Sequence, residues 1–545
     1  MNDKDNQMHQ ENQKEKILQK KIIILGLVGI IFGGLLIRLY NIQYDIPFDL
    51  DATSYFLYAY KLSETLQFPY WSHFPNNGWS TFLSIFFIFT NSNNFMDYVL
   101  IQRIVGVILS LSTSIVIYFL CGRFFNKFVS LVGAAIFCFE PRIITNSILG
   151  ISEPLFIFLI SISILFLIKN NSKYVYFSFL IAGLATLVRY EGLIIIIPLT
   201  IVYFIQNRKK KRIILKYFIL IGIFFLIILP MMIIRIETIG QDGIFSHLIA
   251  GSSYISIHII EGIPDVDDTY DGVSGKNNLE YFLSLAITNF IKFLGLTMIP
   301  IFILFIPFTL FLLFKNKSWK NIDSKTWFVI LSLVVLSLPA LYSYGRGIPE
   351  TRYLYVLFPL FCIISTYSIN DIFLKKIKKN NFLFFIIIGL VFTISLIFIE
   401  IQKDDHQHVK ETFEISKIIV DKTSVINANP IEGNFLTVSG LMKMWPQTPD
   451  INESGGIITT ITKKPINNYE TINEFVETNN FTHIVIDENN SKEFLNDIFH
   501  NEEKYVFLEK IFDSKQNGYI YHVKIFQIDY EKYYDNTKVR NFLEE

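Results

Sequence analysis

Apolar residues fall along this chain in blocks of membrane length, not in the short alternations of a soluble fold. A polar stretch of mixed charge, residues 1–20, leads into a first apolar run that ends at Arg38 and Tyr40. Further runs recur until about residue 402 and then stop. A helix rises 1.5 Å per residue, so a span of the hydrocarbon layer needs about 20 apolar residues. The runs at 21–40, 98–120, 127–140, 154–168, 174–188, 190–206, 213–234, 285–314, 326–344, 353–370 and 382–401 predict about 11 transmembrane helices. The run 79–90, WSTFLSIFFIFT, is about half that length and predicts an interfacial helix. No small-residue cleavage site follows the first run, which therefore reads as an uncleaved anchor.

Past residue 402 the pattern changes. SVINANP (424–430), THIVID (482–487) and GYIYHVKIFQID (518–529) mix β-branched and aromatic residues with polar ones and predict strands. INEFVETNN (472–480) and SKEFLNDIFHNEEKYVFLEKIF (491–512) predict amphipathic helices. The chain thus divides into a cytoplasmic N-terminal tail, 1–20, a membrane domain, 21–402, with a first outer loop at 41–97, and an outer α/β domain, 403–545.

Charge orients these elements. Basic clusters mark the cytoplasmic side of a membrane protein. Arg123 with Lys127, KNNSK (169–173), NRKKKR (207–212), KNKSWK (315–320) and KKIKK (375–379) all fall inside if the N-terminus is inside. The C-terminal domain is then extracytoplasmic. Net charge is zero, which gives nucleic acid no bulk attraction. The three cysteines offer neither zinc-ligand spacing nor a disulfide framework.

The outward loops carry acids, aromatics and single arginines. Loop 1 holds Asp49, Asp51, Tyr55, His73 and Trp79, and Arg103 lies just inside the next span. Glu140, Arg142 and Glu153 follow, then Arg189, Tyr190 and Glu191, then Arg346, Glu350 and Arg352. A charge at the bilayer centre costs about 2.5–3.5 kcal/mol on insertion scales, so such residues face a cavity, pair, or bind a ligand. Guanidinium forks hold phosphate and a carboxylate takes a proton from an attacking hydroxyl or amine.

DLDATSYFLYAYKL (49–62) after a first span resembles the acidic first-loop motif of the GT-C glycosyltransferases. It is most similar to the branch of protein O-mannosyltransferases and aminoarabinose transferases. HFPNNGW (73–79), QRIVGVILSL (102–111), EPRIITNSILGISEPLF (140–156), ATLVRYEGLIIIIPL (185–199) and ETRYLYVLFPL (350–360) follow in that branch's order, over roughly residues 20 to 400. The resemblance implies a polytopic GT-C-like helical membrane fold. It also implies an inverting transfer of a sugar, mannose-type, from a polyprenyl- or dolichyl-phosphate donor to a protein, lipid or glycan acceptor on the outer face. Asp51 matches the motif acid, with Tyr55 at the expected offset. Asp49 is the second acid, and Leu50 separates the two where relatives hold them adjacent. Arg103, Glu153, Arg189, Glu191 and Arg352 match the other outer motifs, and Arg346, Tyr55 and His73 join them as donor-binding candidates. Asp49 and Asp51 are compatible with a divalent ion, Mg²⁺ or Mn²⁺, which this branch does not require as a rule.

Plainer readings stand beside these. Asp49 or Asp51 suits a helix N-cap, Arg103 an interfacial anchor, Glu153 a first-turn acid on a helix dipole, and Arg189 with Glu191 a self-contained pair. His406 and His408 beside Asp404 and Asp405 lack a third ligating element for metal. The acidic loop 264–272 lacks EF-hand spacing. The Trp in MKMWPQTPD (442–450) suits core packing better than sugar stacking. Asn452, Asn480 and Asn490 lie in short N-x-S/T patterns. An oligosaccharyltransferase-like subunit shares the acid-x-acid loop but carries a Trp-Trp-Asp-Tyr-Gly signature that does not occur here. A lipid or solute transporter places its charges near the midplane, whereas here they gather at one face.

Overall fold

The computed structural model describes residues 2–535 except 48–49, 71–73, 75, 91, 93, 170–171, 257–278, 316–323, 377–381, 404–406, 408–409, 412, 416–417, 419–434, 438–482 and 489–492. Asp49, His73, His406, His408, the acidic loop 264–272, the Trp segment 442–450 and the sequon residues Asn452, Asn480 and Asn490 lie outside the described residues, as do the expected strand 424–430 and helix 472–480. The chain divides into two compact units. One comprises Met1–Ile42, Phe48–Phe89 and Leu100–Lys403, and the other Gln43–Pro47, Thr90–Val99 and Asp404–Glu545.

The larger unit is helical. Its elements are α1 (Asn2–Asn41), α2 (Leu50–Thr65), α3 (Gly78–Phe87), α4 (Phe95–Cys121), α5 (Lys127–Cys138), α6 (Pro141–Ser147), α7 (Glu153–Ile168) and α8 (Ser172–Val188). They continue as α9 (Ile196–Asn207), α10 (Ile213–Ile239), α11 (Phe245–Tyr254), α12 (Leu279–Met298), α13 (Phe302–Lys315), α14 (Ser324–Gly345), α15 (Phe358–Lys376) and α16 (Phe382–Ile401). Short 3₁₀ turns, Tyr190–Ile195 and Thr351–Leu357, lead into α9 and α15. Among the described residues, 8 helices are long and apolar enough to cross a membrane, or 9 if α5 and α6, bent by 56°, form one span. The predicted spans 154–168 and 174–188 appear as α7 and α8, of 16 and 17 residues, slightly short of that length. The run 285–314 is not one helix. It breaks between α12 and α13 at Pro300, which brings no amide hydrogen to continue the ladder. Run 79–90 forms the short apolar helix α3.

Helix α5 is buried on every side from Val129 to Cys138 and packs against α1, α15 and α16. The break between α5 and α6 frees backbone carbonyls, and α1 supplies a donor for one of them. Arg38, fully buried, donates from Nη1 to the carbonyls of Cys138 and Gly34, both at 3.0 Å, from Nε to Ser147 Oγ at 3.1 Å, and from Nη2 to Ser110 Oγ at 2.9 Å. One guanidinium therefore ties α1 to α4, α5 and α6.

The second unit carries a four-stranded sheet of β1 (Phe435–Thr437), β2 (His483–Asp487), β3 (Leu508–Asp513) and β4 (Val523–Ile528) in the order β1-β2-β4-β3. β1 runs parallel to β2, and β4 lies antiparallel to both β2 and β3. Helix α17 (Glu493–His500) buries Leu495, Ile498 and Phe499 with Ile484 and Ile486 of β2. The expected helix 491–512 is thus corrected. It stops at His500, and the aromatic and β-branched residues after it join β4 as β3.

Candidate active site

Helix α2 begins at Leu50, so Asp51 sits in its first turn, where the helix dipole favours an anion. Tyr55, four residues on, shares that face and is buried. Its hydroxyl lies 3.3 Å from Ser152 Oγ, just ahead of α7. Burial first, and then the charge of Glu153, push the phenol well above its ordinary range.

Glu153 opens α7 with Pro154 behind it, an arrangement that puts a carboxylate at the positive end of the helix. Arg189 occupies the extended residue between α8 and the 3₁₀ turn. Its Nη1 reaches Glu153 Oε1 at 2.8 Å and its Nη2 reaches Glu191 Oε1 at 2.9 Å. Burial works against this charge, but Glu191 and Glu153 outweigh it and hold the guanidinium protonated. Arg352, near the start of the other 3₁₀ turn, donates from Nη1 to Asp51 Oδ2 at 3.3 Å and from Nε to Glu350 Oε2 at 3.0 Å.

Asp51, Tyr55, Glu153, Arg189, Glu191 and Arg352 line one cavity of about 190 Å³. A narrower crevice shares Glu153, Arg189, Glu191 and Arg352, and its other walls include Phe156, Ile194, Leu336 and Pro339. A polar chamber therefore adjoins an apolar slot through the same arginines. Other candidates lie elsewhere. Arg103 is buried on α4 and does not line the cavity. Arg346 stacks over Tyr254, its guanidinium carbon 4.4 Å from the ring centre, and does not line the cavity either. Asp49 and His73 are outside the described residues.

Neutral residues, of which the sequence singled out only Trp79, hold these charges in place. Gln102 of α4 donates to the carbonyls of Ala52, at 3.1 Å, and Gly150, at 2.5 Å, fixing the turn that carries Asp51 against the approach to α7. Trp79 Nε1 donates to the same Gly150 carbonyl at 3.3 Å. Gly150 has φ of +77°, a left-handed conformation that a side chain would strain. Asn76 also lines the cavity.

Chemically, two guanidiniums beside a carboxylate at the start of a helix can hold an anion while the carboxylate receives a proton. Both arginines already engage carboxylates, and Glu350 adds a further acid to the wall. Among the described residues, no group of three or more His, Cys, Asp or Glu side chains comes together as a metal-ligand set.

Residues 83–234 match the sequence pattern of the dolichyl-phosphate-mannose-protein mannosyltransferase family, and that stretch contains Arg103, Glu153, Arg189 and Glu191. The fold is similar to that of ArnT from Cupriavidus metallidurans bound to undecaprenyl phosphate. The TM-score is 0.52 and the identity 10%, with 91% of this chain and 97% of that one covered. The chain thus shares the fold of this solved protein and, over residues 83–234, the sequence pattern of that family. The apo oligosaccharyltransferase of Archaeoglobus fulgidus shares the fold at a TM-score of 0.52 and 12% identity, covering 85% of this chain and 69% of that one. The same archaeal enzyme tethered to an acceptor peptide containing an NVT sequon gives a TM-score of 0.51 at 12% identity, covering 87% and 70%. No curated protein matches the chain in sequence. With 8 helices among the described residues long and apolar enough to cross a membrane, the chain has the make-up of a multi-pass membrane protein, and its charged cavity is built by the helix ends and turns that flank its apolar helices.

Proposed function

We propose that this protein is a membrane glycosyltransferase that moves a sugar from a polyprenyl-phosphate donor to a hydroxyl or amine acceptor on the extracytoplasmic face. The observation that carries the reading is the ion pair between Arg352 and Asp51, which sets an anion holder and a proton acceptor in one cavity. The adjoining apolar crevice suits a prenyl chain leaving the same arginines. ArnT, whose fold is similar, was crystallised with undecaprenyl phosphate.

The acceptor oxygen or nitrogen attacks the anomeric carbon and forms the new glycosidic bond. The bond from that carbon to the phosphate oxygen breaks, and the polyprenyl phosphate leaves with the electron pair. Asp51 takes the acceptor's proton. Arg352 and Arg189 hold the phosphate as its charge grows, an effect worth most in a site poor in water. Attack from the face opposite the leaving group inverts the anomeric centre. A mannose-type hexose is the donor sugar we expect, in line with the family pattern over 83–234. The basic clusters support a cytoplasmic N-terminus and an extracytoplasmic 403–545 domain.

The test uses purified protein in lipid with dolichyl-phosphate mannose, offered in turn a serine/threonine peptide, a sequon peptide and a glycan acceptor. Transfer to the first or third supports the reading. Transfer to the asparagine of the sequon peptide alone moves the assignment to an oligosaccharyltransferase-like activity. Uptake of intact donor or solute without any transfer moves it to a transporter. Asp51→Asn should lower the rate about 10²–10⁴-fold if Asp51 is the base.

A further inference from the structure

We infer that the dipeptide Asn76–Asn77, which the family resemblance does not assign, is the positioning device that sets the Arg189 turn against the helix carrying Asp51. Asn76 is buried and its carboxamide spans the break after α8. Its Nδ2 donates to the Thr186 carbonyl at 3.1 Å, and its Oδ1 accepts from the Tyr190 amide at 2.9 Å. Arg189 lies between those two contacts, in extended backbone with φ −145° and ψ 130°. Its side chain supplies no cap to the following turn. The Asn76 carboxamide thus replaces hydrogen bonds that the helix break removes on either side of Arg189.

Asn77, also buried, faces the other way. Its Oδ1 accepts from Arg235 Nη1 of α10 at 2.9 Å, and its Nδ2 donates to the Tyr58 hydroxyl of α2. Tyr58 lies one turn along from Tyr55 on the helix that begins at Asp51. Gly78 closes the joint. A Cβ there would stand 2.5 Å from the backbone carbon and oxygen of Leu187, so loop 1 packs directly on the last turn of α8.

Backbone groups and a guanidinium have fixed donor and acceptor roles, and this makes the two asparagines chemically unlike. At Asn76 the Thr186 carbonyl demands a donor, which a carboxylate cannot supply. At Asn77 both partners can donate, the Arg235 guanidinium and the Tyr58 hydroxyl. A carboxylate there satisfies both and pairs with a buried cation. Identical substitutions at adjacent positions should therefore have opposite outcomes.

This inference rests on the reading that Asp51 and Arg189 are working groups of the transfer. The test compares Asn76→Asp, Asn76→Ala, Asn77→Asp and Asn77→Ala in the full-length protein in lipid. It measures transfer from dolichyl-phosphate mannose and amide hydrogen exchange at Tyr190. We expect Asn77→Asp to keep kcat within about threefold of wild type. Asn76→Asp should lose about 10²-fold in kcat with little change in donor KM, the scale of a 1 Å misplacement. Asn77→Ala should fall between the two. Tyr190 exchange should rise at least tenfold in Asn76→Ala and stay at the wild-type rate in Asn77→Asp. Equal effects of the two aspartates on kcat, or unchanged Tyr190 exchange in Asn76→Ala, overturn the inference. If Asn76→Asp does not fold, Asn76→Ala decides by the same exchange readout. Wild-type protein that transfers no sugar, together with the expected exchange pattern, counts against the proposed activity and leaves the brace standing.

Discussion

Arg352 meets Asp51 across 301 positions of chain, Nη1 to Oδ2 at 3.3 Å. Asp51 stands at the start of one helix and Arg352 near the start of a 3₁₀ turn far along the sequence. In the proposed transfer this pair would supply both halves of the chemistry, a group that takes a proton and a group that holds the departing anion. The same guanidinium also takes Glu350 at 3.0 Å, so it stays anchored when Asp51 turns to a substrate.

Replacing Arg352 tests that division of labour. Arg352→Gln should lower kcat about 10²–10³-fold, the usual cost of removing one donor aimed at developing negative charge. Arg352→Lys should recover only part of it, because an ammonium cannot engage Asp51 and Glu350 as a planar fork. Steady-state kinetics with dolichyl-phosphate mannose provide the measurement. Lysine at full wild-type rate would show that charge alone is needed and that the fork geometry does not matter.

Arg189 presents a different case, because the carboxylates on both sides of it are nearly buried. Glu153 and Glu191 side chains are each 9% exposed, and Arg189 is 20% exposed. Removing the guanidinium strands both acids, whereas removing one acid leaves the other pair intact. Arg189→Met should therefore destabilise the fold by about 3–5 kcal/mol, and Glu153→Gln by much less. The double change Arg189→Met with Glu191→Gln should regain stability relative to Arg189→Met alone. Thermal unfolding of the protein in detergent ranks the three, and equal losses in all of them would mean the pairs are not coupled.

Most of the charged site was legible in the sequence for a simple reason. A carboxylate or guanidinium next to an apolar run is costly, so Asp51, Glu153, Arg189, Glu191 and Arg352 stand out. Their partners do not, since spacing along the chain says nothing of a contact between residues 51 and 352. Arg346 and Arg352 flank the same short segment and look alike as letters. The structure turns Arg346 onto Tyr254 and Arg352 into the cavity. Asn76, Asn77 and Gln102 stayed hidden because neutral amides cost little at an interface and form no charge pattern. In the second unit, residues 501–512 carry helix-compatible spacing, but pairing with β4 overrides it. The run 285–314 reads as continuous only if the effect of Pro300 on a helix is discounted.

Arg38 yields a stability prediction free of the catalytic reading. It is fully buried, with no carboxylate paired to it among the described residues, and its hydrogen bonds run to two carbonyls and two serine hydroxyls. A lysine has no planar fork to reach α4, α5 and α6 together. Arg38→Lys and Arg38→Ala should both lower the thermal midpoint sharply, because the Cys138 carbonyl at the break between α5 and α6 loses its donor. Ser110→Ala removes a single contact and should cost about 1.5–3 kcal/mol, the range for a hydrogen bond to a charged group. Arg38→Lys at wild-type stability would mean that the charge matters there and the fork does not.

The last prediction concerns pH. His247 of α11 packs against Tyr190 with the rings tilted at 58° and their centres 4.4 Å apart, and it feels Glu191 and Arg346. Burial, helped by Arg346 and opposed by Glu191, holds its pKa below the ordinary value of 6.5. The folded state therefore prefers neutral His247, and the undocked helix takes up a proton more readily. Whatever stability this contact gives is fully present above about pH 6.5 and fades as pH falls through the lower folded-state value. Asp242 acts in a separate and more acidic window. Burial works against its charge, but the amides of Ile244, Phe245 and Ser246 and the Ser246 hydroxyl hold its pKa below that of an ordinary aspartate, so it keeps capping α11 while His247 titrates. Hydrogen exchange of residues 245–254, corrected for intrinsic rates, should accelerate as pH drops from 7.5 to about 5, within the range where histidine changes charge. His247→Gln should flatten that response without altering exchange at pH 7.5. An unchanged pH response in the glutamine variant would assign the effect to another group.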